Sequence, residues 1–145
     1  MPTVIDLLAH KGTEIHSISP AASAMEAIRK MNQHQIGALI VMQEGQVVGM
    51  FTERDVLRRV LDAERRPQDV TVAEVMSAEV ICCPPDTDVE DASQIMKERR
   101  VRHLPVCDPD GRLRGLISIG DLNAFYASHQ QQTIHYLQDY IYGRA

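Results

Sequence analysis

Two short segments of the chain combine a hydroxyl group with a carboxylate three residues later. They are Thr52-Glu53-Arg54-Asp55 and Ser118-Ile119-Gly120-Asp121, and each directly follows an apolar run that predicts a strand. One carboxylate offers two acceptor oxygens at about the spacing of the neighbouring hydroxyl groups of a ribose. A helix start and the nearby hydroxyl also favour an anion such as phosphate. The same spacing is equally a capping box, which stabilises a helix start with no ligand present.

These segments belong to two copies of one repeat. Residues 18–43 align with residues 83–108, and residues 44–57 align with residues 110–123 after a one-residue slip at Pro109. The identical pairs are Pro20/Pro85, Ala27/Ala92, Met31/Met96, Leu39/Leu104, Val41/Val106, Gly45/Gly111, Gly49/Gly115 and Asp55/Asp121. Agreement in register over this length indicates a duplicated unit.

The elements that position the two motifs are the same in each copy. A capping signal, Ser23 with Glu26 or Asp88 with Asp91, predicts a helix with one apolar face. An unbroken apolar run then predicts a strand covered on both faces, and a turn and a second strand complete a hairpin before the final helix. With a short first strand near Ile15 to Ile18 or Val80 to Cys83, each copy is a β-α-β-β-α unit of α/β (α+β) class. One such unit is too small to be stable, so we expect the two to pack sheet to sheet with pseudo-twofold symmetry.

The same patterns divide the chain. We expect repeat 1 over residues 10–62, a linker with a short helix over residues 63–77 and repeat 2 over residues 78–127. A helical turn over residues 3–9 precedes them, and a C-terminal helix over residues 128–145 follows. The apolar stripe of that last helix, Ile134, Leu137 and Ile141, suits either the core or a dimer seam.

Composition narrows the classes of partner. The 145 residues carry a formal net charge of −5 and only 4% aromatic residues, with no Trp. An acidic chain gains little from the counterion release that drives nucleic-acid binding, and anionic membranes repel it. No apolar run approaches the roughly 20 residues that span a bilayer, so we expect a cytoplasmic protein that binds neither nucleic acid nor membrane.

The sequence contains no signature of catalysis. Walker, GxGxxG and HExxH motifs are missing, and the six histidines show no metal-binding spacing. Cys82, Cys83 and Cys107 have no CxxC spacing and are expected to be reduced thiols. For Cys82 and Cys83 we favour buried inert thiols over redox sensing. We therefore expect no enzyme and no metal.

The paired segments that begin Gly49-Met50-Phe51-Thr52 and Gly115-Leu116-Ile117-Ser118 resemble the repeats of a CBS-domain pair, or Bateman module. The resemblance runs from about residue 10 to residue 127, and two copies in register make it specific. The chain is most similar to small stand-alone bacterial members. In that family adenine nucleotides are the usual ligands, and related modules pair into homodimers.

The resemblance implies two pseudo-symmetric sites in the clefts between the copies. One combines Thr13, Ile36, Gly37, Ala38, Arg102, His103, Ser118 and Asp121; its twin combines Ala78, Val101, Arg102, Thr52, Arg54 and Asp55. Small residues such as Gly37 allow backbone amides to approach the adenine edge, and an arginine clamps a phosphate. Copy one has only His34 where copy two has an arginine cluster, although Arg54 could supply charge to the Asp55 site. Because Arg102 at the position that corresponds to Gly37-Ala38 is less accommodating, we rank the Asp121 site first.

The expected function is a non-catalytic adenine-nucleotide sensor that signals to a regulated partner protein. AMP is the preferred ligand and ATP or NAD(H) are alternatives; no cofactor is required. The competing hypothesis is a structural homodimerisation module whose sites stay vacant. The sequence does not decide between them, nor does it identify the partner.

Overall fold

The computed structural model describes residues 2–12 and 14–129. Its helices are α1 (Val4–Lys11), α2 (Ala24–His34), α3 (Glu53–Asp55), α4 (Val72–Val75), α5 (Val89–Arg99) and α6, which is helical over residues 119–129. The strands are β1 (Ser17–Ile18), β2 (Ala38–Gln43), β3 (Gln46–Thr52), β4 (His103–Cys107) and β5 (Leu113–Ser118). Helix α3 continues as a π-helical segment, Val56–Leu61, and Pro67–Asp69 form one 3₁₀ turn.

The two repeats share one topology. In the first repeat β1 is parallel to β2, and β2 is antiparallel to β3. In the second repeat β4 is antiparallel to β5, and the place of β1 is taken by a single parallel bridge between Cys83 and Val106. The register shifts after Val41 in β2 and after its counterpart Val106 in β4. The predicted β-α-β-β-α unit is confirmed, with a shorter first strand in the second repeat.

Strand β2 is buried on both faces. Leu39 and Val41 belong to the core of the first repeat, while Ala38 and Ile40 are buried on the opposite face. The prediction that the unbroken apolar run forms a strand covered on both faces is therefore confirmed. Strand β4 repeats the arrangement, because Leu104 and Val106 enter the core of the second repeat while Pro105 and Cys107 are buried outside that core.

The two short helices outside the aligned repeats are cross-packed: each packs on the repeat that it does not directly precede in the sequence. Helix α1 precedes the first repeat but its Val4, Leu7 and Leu8 enter the core of the second. Helix α4 precedes the second repeat but its Val72 and Val75 enter the core of the first. The predicted helical turn over residues 3–9 is thus a two-turn helix with a structural role in the distant repeat.

A shared local sequence explains this exchange. Both helices begin with a Thr-Val-x-acid segment, Thr3-Val4-Ile5-Asp6 and Thr71-Val72-Ala73-Glu74, and both form a capping box. Thr3 bridges to Asp88, the residue before α5, as Thr71 bridges to Ser23, the residue before α2. The repeat therefore includes a helix before each aligned unit. The predicted C-terminal helix lies outside the described residues from position 130 onward.

Within the described part of the chain, no helix combines the length and the apolar character needed to cross a membrane.

Candidate functional site

The motif at the end of β3 forms a closed hydrogen-bonded turn. The Thr52 hydroxyl accepts a hydrogen bond from the Asp55 N–H, and Asp55 Oδ2 accepts one from the Thr52 N–H at 3.0 Å. Asp55 Oδ1 accepts a third hydrogen bond from the Ser77 hydroxyl at 3.0 Å and lies 3.6 Å from Nε of Arg59. The residue is only 5% exposed. The capping interpretation is confirmed here, and Asp55 is anchored on both carboxylate oxygens.

The motif at the end of β5 has the same turn but a different third partner. Asp121 Oδ2 accepts a hydrogen bond from the Ser118 N–H at 2.7 Å, and the Ser118 hydroxyl accepts one from the Asp121 N–H at 3.1 Å. The Lys11 ammonium group, from the end of α1, lies 2.6 Å from Asp121 Oδ2. Burial opposes ionisation of Asp121, but the hydrogen bonds from Lys11 and Ser118 outweigh it and hold the pKa of that carboxyl below its usual value.

A cavity of about 410 Å³, which we name the Asp55 cleft, opens beside the first motif. It is lined by Gly37, Met50, Thr52, Glu53, Arg54, Asp55, Leu57, Arg58, Ser77, Glu79, Val80, Ile81, Val101, Arg102, His103 and Pro105. Of the residues that the sequence assigned to this site, only Ala78 is not part of the lining, although its two neighbours are. Both repeats contribute, and three arginines stand around the opening.

A second cavity of about 380 Å³, the Ser118 cleft, opens beside the second motif. It is lined by Lys11, Gly12, Glu14, Ile15, His16, Ile36, Gly37, Ala38, His103, Leu116 and Ser118. The structure thus brings together five of the residues that the sequence assigned to this site. Arg102 lines the Asp55 cleft instead, and Thr13 lies outside the described residues. Asp121 lines a neighbouring cavity, on the other side of Lys11.

Gly37 and His103 line both clefts and form a common wall between them. A Cβ atom at Gly37 would lie 3.3 Å from the Glu53 carboxylate, and the Glu53 N–H donates to the Gly37 carbonyl at 3.0 Å. Burial, followed by the positive charge of Lys11, lowers the pKa of His103. His103 is therefore uncharged at neutral pH, and the positive charges of the Asp55 cleft are those of its arginines, which stand beside the carboxylates of Glu53, Asp55 and Glu79.

Sequence reasoning missed Lys11 and Arg58 as cleft residues. Lys11 stands before Gly12, whose φ of +97° ends α1, so a helix stop was visible in the sequence. The similarity of Thr3-Val4 to Thr71-Val72 would also have indicated that α1 is part of the repeated unit. Arg58 follows Arg54 by four residues, a spacing that places both on one side of the helix.

The cysteines lie away from both clefts. Cys83 and Cys107 are buried and Cys82 is exposed, so the expectation of a buried thiol is confirmed for Cys83 and wrong for Cys82. Burial, and then the neighbouring Cys82 thiol, raise the pKa of Cys107 to about 12. Among residues 2–12 and 14–129, His, Cys, Asp and Glu side chains form no group of three that could hold a metal ion.

Comparison with known proteins gives consistent matches over this part of the chain. The family model for the CBS domain matches twice, over residues 6–62 and 72–128. The CBS domain-containing protein YhcV of Bacillus subtilis is 38% identical over 110 residues, which cover 76% of this chain and 77% of that protein.

Solved structures agree in fold as well as in sequence. A putative signal-transduction protein with CBS domains from Burkholderia ambifaria has a TM-score of 0.84 at 36% identity, covering 89% of this chain and 96% of that one. The CBS-domain structure NE2398 has a TM-score of 0.83 at 40% identity, covering 87% and 98%. The two family-model matches each include one cross-packed helix with the repeat that follows it. The protein therefore belongs to the CBS-domain family and carries a pair of CBS domains.

Proposed function

We propose that this protein is a non-catalytic sensor that binds an adenine nucleotide between its two CBS domains, with AMP as the preferred ligand and ATP or NADH as alternatives. The observation that carries the proposal is the Asp55 cleft. It combines an apolar strip with three arginines and three carboxylates, those of Glu53, Asp55 and Glu79, in one cavity of about 410 Å³, within the roughly 300–1,000 Å³ of small-molecule sites.

The lining of the Asp55 cleft divides into an apolar part and a charged part. Val80, Ile81 and Val101 supply an apolar surface that suits a flat base. Arg58 and Arg102 are exposed at the same cavity, and their guanidinium groups can bind a phosphate through paired hydrogen bonds. A base at one end and an anion at the other is the chemical description of a nucleotide.

A structural neighbour supports the ligand class. The CBS-domain pair of MJ0100 was solved in complex with 5′-methylthioadenosine and S-adenosyl-L-methionine, and it matches this chain with a TM-score of 0.78 at 23% identity. Both of its ligands contain adenosine. The phosphate is our extension, and it rests on the arginines of the cleft. A ligand that bridges the two domains favours one relative arrangement of them, which is how binding becomes a signal to a partner protein.

Calorimetric titration with AMP, ATP, NADH and adenosine tests the proposal. We expect AMP to bind below about 1 mM, and we expect Arg58→Gln/Arg102→Gln to weaken that binding about tenfold or more. The matched control is Arg29→Gln/Arg99→Gln, which removes two exposed arginines from α2 and α5 outside both clefts. Absence of binding by all four compounds, or equal losses in the two variants, contradicts the proposal.

A second candidate function rests on an exposed apolar pair. Leu57 is 63% exposed and Leu61 is 56% exposed, and their spacing of four residues places them on one side of the segment Val56–Leu61. We propose that a second copy of the chain covers this face, so that the module is a homodimer. Sedimentation of Leu57→Glu/Leu61→Glu should then yield monomers. If the wild-type protein is a dimer and its melting temperature is the same with and without nucleotides, the chain is a dimerisation module with vacant clefts.

A further inference from the structure

Lys11 joins a helix of one repeat to the site of the other. Helix α1 is anchored in the core of the second repeat by Val4, Leu7 and Leu8, so its last residue has a fixed position. The ammonium group of Lys11 donates to Asp121 Oδ2 at 2.6 Å and to the Leu116 carbonyl at 2.5 Å. Its side chain is 32% exposed, so one side of the group faces solvent.

The position of Lys11 relates it to two cavities. It lines the Ser118 cleft, and it also lines the adjoining cavity that contains Asp121. Lys11 therefore borders the Ser118 cleft and contacts Asp121, which does not line that cleft.

The Ser118 cleft needs a cation from this position. The arginines beside the Asp55 cleft do not line the Ser118 cleft, and burial lowers the pKa of His103 so that its imidazole is uncharged. Of the described residues around the Ser118 cleft, Lys11 is the one Lys or Arg side chain. Glu14 adds a negative charge, and His16, the other histidine of the lining, already lies 3.7 Å from the Glu14 carboxylate.

We propose that Lys11 is a ligand-binding residue of the Ser118 cleft that selects a phosphorylated nucleoside over an uncharged one. This rests on the proposed function. In the free protein Lys11 neutralises Asp121; on binding, the ribose hydroxyl groups donate to Asp121 and the ammonium group turns to the phosphate. Asp121 exchanges its ion pair for hydroxyl donors and keeps the hydrogen bond from the Ser118 N–H, so neither charged group is left without a hydrogen-bond partner.

The experiment compares AMP with adenosine on Lys11→Gln, on Lys11→Arg and on the control Lys97→Gln, which removes an exposed lysine of α5. Binding is followed by NMR through the amide signals of Leu116 and Ser118, which report this cleft separately from the Asp55 cleft. We expect Lys11→Gln to weaken AMP binding about ten- to hundredfold and to leave adenosine binding unchanged or stronger. Lys11→Arg should retain most of the AMP affinity.

Three other results overturn the inference. If Lys11→Gln loses AMP and adenosine equally, Lys11 only supports the fold, and thermal unfolding of the variant will show a matching loss. If wild-type protein binds AMP and Lys11→Gln binds it as well, the role of Lys11 fails while the proposed function stands. If wild-type protein binds neither compound, both fail.

Discussion

The two CBS domains contain the same hydroxyl-to-carboxylate turn, but the carboxylates are held in different ways. Asp55 is buried, accepts a hydrogen bond from the Ser77 hydroxyl and lies 3.6 Å from Nε of Arg59 in its own repeat, whereas Asp121 is more exposed and pairs with the ammonium group of Lys11. Lys11 ends the short helix that packs on the second repeat, and Ser77 follows the short helix that packs on the first. Duplication thus preserved the turn, and the cross-packed helices made the two sites unequal.

The difference extends to the cations of the clefts. Arg54, Arg58 and Arg102 stand around the Asp55 cleft, while the Ser118 cleft has Lys11. The ranking drawn from the sequence placed the Asp121 site first because Gly37 and Ala38 leave room for an adenine edge, whereas Arg102 at the twin position leaves less. In the structure Arg102 lines the Asp55 cleft and not the Ser118 cleft, so this arginine adds a positive charge to the site of the first repeat.

The largest expected effect concerns the glycines against which the cross-packed helices lie. A Cβ atom at Gly49 would lie 2.9 Å from the Ser77 carbonyl oxygen, whereas one at Gly115 would lie 2.7 Å from a Leu8 methyl group. A backbone carbonyl yields less than a side chain, so Gly49→Ala should cost about 3 kcal/mol of unfolding free energy and Gly115→Ala about 2 kcal/mol. Urea unfolding measures both.

The matched control is Gly120→Ala. A Cβ atom there would be 3.5 Å from the Ser118 hydroxyl, which is ordinary contact, and the residue lies in helix α6. We expect no loss, or a gain of up to about 1 kcal/mol from helix propensity. Equal behaviour of all three variants would mean that α1 and α4 do not pack as closely as described.

A smaller effect compares the two carboxylates. Asp55→Ala removes the carboxylate half of the α3 capping box and the contact with Arg59, and it leaves the Ser77 hydroxyl without its acceptor, which should cost about 2 kcal/mol. Asp121→Ala removes the acceptor of the Ser118 N–H and a partly exposed ion pair, and about 1 kcal/mol is expected. Chemical denaturation at neutral pH measures the two losses. A larger loss at Asp121 would reverse our comparison of the two sites.

The smallest effect concerns His103, in the wall that the two clefts share. Its charged neighbours are Lys11, Asp121, Glu53 and Arg102, and burial followed by Lys11 lowers its pKa from 6.5. The unfolded chain therefore takes up a proton before the folded one does. The stabilising contribution is complete above pH 6.5 and is lost as the pH falls from there through the folded pKa.

Measuring unfolding free energy between pH 7.5 and pH 5 should thus show a shallower slope for His103→Gln than for the wild type. His10→Gln, on the exposed surface of α1, is the control and should keep the wild-type slope. Identical slopes for all three proteins would show that His103 is as accessible to protons in the folded state as in the unfolded chain.

Local sequence determined much of the fold and part of the site. The caps at Ser23 and Thr52, the unbroken run of β2 and the hairpins all follow from contacts within a few residues. For the same reason the clefts contain most of the residues assigned to them, because the start of each second strand and of each final helix fixes its own neighbours.

Tertiary structure alone decided the rest. No pattern within α1 says that it packs on the second repeat and delivers Lys11 to Asp121, since that contact joins residues 110 positions apart. Tertiary packing likewise decides which of the two clefts the Arg102 side chain lines. Capping and periodicity depend on neighbouring residues and can be read from the sequence. The partner of the Asp121 carboxylate depends on which helix packs beside it in the folded core, and this is decided by long-range contacts.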